Sequence, residues 1–489
     1  MSPIIPLALS LLLASSTALQ DKPSTVSPSD IVSALETAVA DAIERAQPSV
    51  VAINRIKSED GQTTAIRGRI ELRNRGNMLV FGQNDADPLS KDYVAFDYGS
   101  GVVIGDEGQI LTNYHLVEGA ARLIVRAQGV DPFEAEILAA DPRSDLAVIA
   151  PVLPQMDDNG RPRLRPLPIG DASNLRQGSF LVALGNPFNV ARDGQSSASF
   201  GILANRARSL IIPPSPDGIS TPTPQLQHLA TLFQLDSKLN LGMSGGAVVD
   251  MKGELVALTT ASANAIGYDP RAGYAVPMDT LGRRIVESLK KGEEVEYGFL
   301  GIRLPSGSNL ISEVQPGTPA AEGDLIAGDQ IIEVNGLLVK DFDGLILAVN
   351  ASPVGEPVEL RIRRGNGELK KTVILSKFPI DDGEIIATNR PDPWRGLRID
   401  FSSVLAFGEL EVMARGGVAV VEVLSGTPAE VARVRVGSII RAVEGQPIRN
   451  PREFREAVAE HEGQPVKLET DLGPLTIEPQ RRPASDRDD

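Results

Sequence analysis

The 489-residue chain contains no cysteine, which excludes disulfides, thiol nucleophiles and thiolate metal sites. Histidine is almost as scarce: His115, His228 and His461 are the only three, so any imidazole chemistry must come from one of them. The chain also lacks a hydrophobic run long enough to cross a bilayer. Its most apolar stretch, Ile4 to Ala14, spans 11 residues and is followed by the small triplet Ser16-Thr17-Ala18. That pattern predicts a signal peptide over residues 1–18, although no Lys or Arg precedes it. An exported protein with no integral membrane span after cleavage is expected, and without cysteine it has no lipoprotein anchor. Basic charge is short as well: 48 Lys and Arg against 64 Asp and Glu leave a net charge of −16. Nucleic acid is therefore not expected as a partner, since gripping phosphates takes clustered basic residues. No phosphate-binding glycine loop and no histidine pair at helical spacing are present, so neither a cofactor nor a metal is expected.

What is present suggests about three domains for a chain of this length. Ser29 or Asp30 is placed to cap a helix carrying Ile31, Leu35, Val39, Ile43 and Ala46 on one face, with Pro48 ending it. From Ser49 the pattern changes to short strands. They include Val50–Ile53, Gly101–Ile104, Leu123–Val125 and Leu146–Ile149, then Phe180–Leu184, Ala247–Val249 and Leu255–Leu258. Many short strands parted by Gly, Asp and Asn turns indicate barrels or sandwiches. Further on, Gly317-Thr318-Pro319-Ala320 recurs as Gly426-Thr427-Pro428-Ala429, and Gly328 to Gly336 recurs as Gly437 to Gly445, each 109 residues later. A period of that size marks a duplicated small domain, not a solenoid unit.

Three stretches carry chemistry: Thr112-Asn113-Tyr114-His115, Ser144-Asp145-Leu146-Ala147 and Gly242-Met243-Ser244-Gly245-Gly246. A serine hydroxyl becomes nucleophilic when a neutral imidazole takes its proton, and a carboxylate behind that imidazole fixes its tautomer. Ser244 is thus read as nucleophile, His115 as general base and then acid, and Asp145 as the orienting carboxylate. Gly242 and Gly245 let the chain turn tightly, so that the N–H groups of Gly242 and Ser244 can face a developing oxyanion. The order His, Asp, Ser fits a chymotrypsin-type double barrel, with His and Asp from the first barrel and Ser from the second. His228 is read as a loop residue and His461 as a solvated residue on a polar helix.

Gly99 to Ile104, Leu111 to Val117, Asp141 to Ala147, Leu184 to Phe188 and Gln234 to Asp250 together resemble the HtrA (Deg) family of serine proteases with C-terminal PDZ domains. The resemblance implies a mostly β chain divided into a protease domain over 29–290, an α+β PDZ domain over 296–377 and a linker over 378–393. A second PDZ domain over 394–479 and a disordered tail over 480–489 complete it. It implies peptide C-termini bound at Gly298, Phe299, Leu300, Gly301 and Ile302, with the peptide added as an extra strand. The corresponding loop of the second repeat, Trp394 to Ile399, carries one glycine fewer, and Ser438 stands where the first has Asp329. Three departures stand out: Met243 occupies the usual Asn position, Leu235 a usual Thr, and Lys238 the place where trypsin-type enzymes hold a specificity Asp. Cleavage after basic residues is therefore not expected; small aliphatic residues, or an acidic one drawn by Lys238, fit better. The family also implies a periplasmic or envelope location, unfolded polypeptide substrates, independence from ATP, at least a homotrimer, and a regulatory loop within Met78 to Phe96. Two other readings remain open at this stage: a non-catalytic chaperone or adaptor, and a regulatory protease that cuts a single partner.

Overall fold

The computed structural model describes residues 27–57, 87–90, 97–186, 195–208, 232–260, 273–305, 307–378, 385–406 and 416–479. The expected signal peptide, the expected tail, His228 and most of the segment Met78 to Phe96 lie outside the described residues.

The first helix runs Pro28–Ala46, and its cap is Ser27 instead of Ser29 or Asp30. Pro28 occupies the first helical position, where a missing N–H costs nothing, and Asp30 reaches back from the third position to complete a capping box with Ser27. Only the C-terminal half of the predicted stripe is covered: Ala42 and Ala46 are buried, Val39 and Ile43 pack on the core, and Ile31 and Leu35 remain exposed.

The next strands are β1 (Val50–Lys57), β2 (Tyr98–Val103), β3 (Ile110–Thr112), β4 (Ala120–Arg126), β5 (Phe133–Asp141) and β6 (Leu146–Pro151). They form an antiparallel sheet that closes because β6 pairs with both β3 and β5. The register that closes it also builds the site. Thr112 lies opposite Ala147, so residues leaving β3 (Asn113, Tyr114, His115) face residues entering β6 (Ser144, Asp145). A second closed barrel follows from β7 (Phe180–Gly185), β8 (Ser197–Arg208), β9 (Leu232–Leu235), β10 (Ala247–Val249), β11 (Leu255–Thr260) and β12 (Gly273–Pro277). Ala247 pairs with Leu258 on one side and Leu184 on the other, which anchors the glycine turn before β10 between two strand ends. One apolar cluster spans both barrels, joining Val50, Val102 and Leu146 to Val182, Leu184, Val249 and Leu255. A helix, Thr280–Lys290, capped by Asp279, buries Leu281, Ile285 and Leu289 against this cluster.

The duplicated segment folds twice in the same way. Strand Gln330–Val334 and helix Phe342–Ala351 of the first copy recur as Ile439–Val443 and Pro451–Ala459 in the second. Each copy has its own core: Leu300, Ile331, Val358 and Leu375 in the first, Leu397, Ile440, Phe454 and Val466 in the second. The Asp329-to-Ser438 exchange is accommodated locally. Asp329 accepts from Ile326 N–H and from Arg364, while in the second copy Ser438 donates its hydroxyl to the Arg435 carbonyl and Asp471 accepts from Ile439 N–H. His461 stands in the turn just beyond the helix Pro451–Ala459, half-buried, and not on the helix itself.

Buried polar contacts tie these parts together. Arg143 bonds Asp141 and the Val295 carbonyl and stacks on Tyr297, whose hydroxyl donates to Asp141 at 2.6 Å. Lys377 lies almost wholly buried between Asp400 (2.6 Å) and Glu294 (2.8 Å), joining the end of the first repeat to the second. The segment read as a linker contains a short strand, Ile386–Ala387, that pairs with Ala140 and Ala139 on the open edge of β5. An edge of unpaired backbone groups is satisfied by whatever extended chain passes beside it, which composition alone does not reveal.

Candidate active site

Asp145 is the best-held residue of the site. It is fully buried and adopts φ +55°, a left-handed conformation that a residue with a Cβ enters at a cost of roughly 1–2 kcal/mol. Local hydrogen bonding overdetermines it: its carbonyl accepts from Tyr114 N–H (3.1 Å) and Asn113 Nδ2 (3.0 Å), and its carboxylate accepts from His115 N–H (3.1 Å). The same carboxylate lies 2.8 and 2.9 Å from His115 Nδ1. A carboxylate only accepts, so the ring hydrogen sits on Nδ1 and Nε2 is left as proton acceptor. Burial by itself would push this imidazole down, but the charge of Asp145 and its hydrogen bond outweigh burial and hold His115 above the ordinary histidine value. Arg55, which donates to the His115 carbonyl at 2.8 Å, opposes that rise.

The second barrel contributes a group that sequence reasoning missed. Thr260, the last residue of β11, donates its hydroxyl to Asp145 Oδ2 at 2.8 Å across the junction of the barrels. Only its place at a strand end marks it; threonine there is unremarkable until the barrels meet.

Ser244 lies in the turn before β10 and is buried to 9% exposure. Gly242 and Gly245 have φ +91° and +78°. A Cβ on Gly242 would come within 2.6 Å of the Asn186 carbonyl, so the turn requires glycine for space as well as for conformation. Within it, Met243 N–H donates to Asn240 O, Gly245 N–H to Thr259 O and Gly246 N–H to Met243 O. The Met243 side chain is buried in the second barrel's core with Leu235, Leu181 and Ala257. Both apolar departures from the family pattern thus fill the barrel interior. Lys238 is exposed on the segment between β9 and the turn.

In the first repeat, Gly298 and Phe299 pair with Lys377 and Ser376, Leu300 is buried, Gly301 has φ +81°, and Ile302 pairs with Val314. The Leu300 carbonyl accepts from Ala320 N–H and the Gly301 carbonyl from Gln315 N–H. In a planar trans peptide the N–H points opposite to the C=O, so the Gly301 and Ile302 amides face away from those contacts. The second repeat holds Arg395 and Gly396 alike, through Ala429 and Leu424, with Arg395 stacked on Trp394. The described residues hold no cluster of His, Cys, Asp and Glu able to bind a metal ion.

Comparison with known proteins agrees with this layout. Residues 99–258 match the trypsin-like peptidase domain, and residues 310–364 and 420–471 each match the PDZ domain. A probable periplasmic serine endoprotease DegP-like of Chlamydia trachomatis is 26% identical over 479 residues, covering 92% of this chain and 89% of that protein. Periplasmic serine endoprotease DegP of Escherichia coli K12 is 27% identical over 460 residues, covering 86% and 87%. Among solved structures, the HtrA-type protease AlgW with tripeptide covers 70% of this chain at 22% identity and a TM-score of 0.47. The chain thus carries a trypsin-like peptidase domain of two six-stranded barrels followed by two PDZ domains, and it is a serine endopeptidase similar to the DegP-like periplasmic proteases.

Proposed function

We propose that this protein is an ATP-independent endopeptidase that degrades unfolded or damaged exported polypeptides by acyl transfer to Ser244. The observation that carries the reading is the His115–Asp145 pair, its tautomer set at 2.8 Å, with Thr260 from the barrel of Ser244 on the same carboxylate. In the reaction His115 Nε2 takes the Ser244 proton as the oxygen attacks the peptide carbonyl, then returns it to the leaving amine. Asp145 holds the imidazolium that forms. The amides of Gly242 and Ser244 stabilise the tetrahedral oxyanion, each typically contributing about 2.7–4 kcal/mol. Water, deprotonated by His115, releases the acyl group.

The domain division at 29–290, 296–377 and 394–479 accompanies this reading, with peptide C-termini docking at Gly298 to Ile302. The relatives named periplasmic support export to that compartment. A homotrimer or a multiple of it belongs to the proposal through family likeness. Burial of Met243 and Leu235 in the barrel core argues against a spoiled site, and so against a non-catalytic chaperone.

The test is Ser244→Ala on the purified chain. Cleavage of denatured casein and labelling by a fluorophosphonate should both disappear while the unfolding transition stays in place. Full residual activity would end the assignment.

A further inference from the structure

Ser100 lies within β2 of the first barrel and is fully buried, yet most of its polar groups serve the second barrel. Its N–H donates to the Ser244 carbonyl at 2.8 Å. Its hydroxyl lies 2.7 Å from the Gly242 carbonyl and 2.9 Å from the Asn186 N–H at the end of β7. The Asn186 amide can only donate and the Gly242 carbonyl can only accept, so the hydroxyl hydrogen must point to Gly242. The Ser100 carbonyl in turn accepts from Thr112 Oγ1 at 2.8 Å, on the strand that leads to His115.

Gly242 and Ser244 are the two residues whose amides are assigned to the oxyanion, and Ser100 holds the carbonyl of each. Gly242 is a free hinge by nature: without a Cβ, its φ and ψ are limited by little besides their contacts. An anchor on its carbonyl fixes one of the two peptide planes meeting at that hinge, which limits how far the other, carrying the Gly242 N–H, can swing. Preorganisation of this kind is what gives an oxyanion site its effect, because the donors need not reorganise during reaction.

We infer that Ser100 is a positioning residue for the oxyanion site, setting the turn Gly242–Ser244 from the opposite barrel. The inference rests on Ser244 being the nucleophile. Its test uses the full chain, a peptide taken from the casein fragments the wild type releases, and the boronic acid of the same peptide as a tetrahedral mimic. Ser100→Ala should lower kcat about tenfold to a hundredfold, less than the roughly 10²–10³-fold loss from deleting a donor outright. KM should stay within about twofold, and affinity for the boronic acid should fall in step with kcat. Ser100→Cys, of similar volume with a weaker donor, should lie between. Should the alanine variant fail to fold, the cysteine variant is read by the same criteria. A kcat within about twofold of wild type, or a loss seen only as fewer fluorophosphonate-reactive molecules with normal turnover in each, would overturn the inference. Ser244→Ala run alongside separates the two failures. Activity surviving in that variant removes the nucleophile assignment, whereas its loss together with a normal Ser100→Ala removes only the role of Ser100.

Discussion

Lys377→Met tests how the second PDZ domain is held. The ammonium group of Lys377 lies 2.6 Å from Asp400 and 2.8 Å from Glu294, on a side chain only 2% exposed. Burial alone would drive such a lysine toward neutrality, but the two carboxylates outweigh burial and raise its pKa well above the ordinary lysine value. Methionine keeps most of the volume and deletes the charge, leaving two carboxylates facing each other. Removing one partner of a buried pair costs about 3–5 kcal/mol. Asp400 and Glu294 are 17% and 24% exposed, so water relieves part of that cost and the lower end, about 3 kcal/mol, applies. At about 1.4 kcal/mol per factor of ten, the docked-to-undocked ratio should fall more than a hundredfold. Hydrogen exchange reads this directly: amides of Leu397–Phe401 and Ser402–Ala406, beside the ion cluster, should lose protection while those of β5 and β6 keep theirs. Adding Asp400→Asn should recover part of the loss. A raised lysine pKa contributes stability that is complete below the unfolded value of about 10.4 and lost as pH climbs through the folded value. Docking of the wild type should accordingly weaken in strong alkali, and docking of the variant should not respond there. Unchanged protection in Lys377→Met would refute the argument.

Three further outcomes follow from the proposed catalytic pair. With His115 as the proposed general base, activity requires its neutral form; its pKa is raised by Asp145, so the acid limb of kcat/KM should turn above the ordinary value of 6.5, with activity lost as pH falls through it. Asp145→Asn should shift that limb downward and reduce kcat by up to about 10⁴-fold, the scale expected when the imidazole loses its tautomer control; a limb that stays in place would separate Asp145 from the titration. Thr260→Val removes the hydroxyl bonded to Asp145 and should lower kcat about tenfold, the kinetic equivalent of about 1.4 kcal/mol. Thr260→Ser should restore it, and equal rates for the two variants would exclude a role for that bond.

The chain's local signals were strong where physics is local. Scarcity of histidine left few bases to choose from, and strand-length apolar runs parted by turns announced barrels. A repeat 109 residues apart announced two copies of one small fold, down to matching helices and strands. Glycines at Gly242 and Gly245 were legible because the φ they adopt is hard for other residues to reach. The helix cap moved from Ser29 or Asp30 to Ser27 because Pro28 takes the first helical position, which makes the residue before it the cap.

Other features arise only when distant segments meet. Thr260 reaches a carboxylate 115 residues away, and Ser100 reaches a carbonyl 142 residues away. Neither residue type is unusual, and neither contact exists until both barrels have closed and packed. The same holds for Lys377, an ordinary charged residue in sequence that folding buries between two carboxylates. It holds also for Ile386–Ala387, which become a strand only because β5 offers an open edge. Periodicity, turn chemistry and residue order therefore determined which reaction this protein was built for. Tertiary convergence decided which additional groups hold the reacting atoms in place, because hydrogen-bond partners chosen across space leave no trace in spacing along the chain.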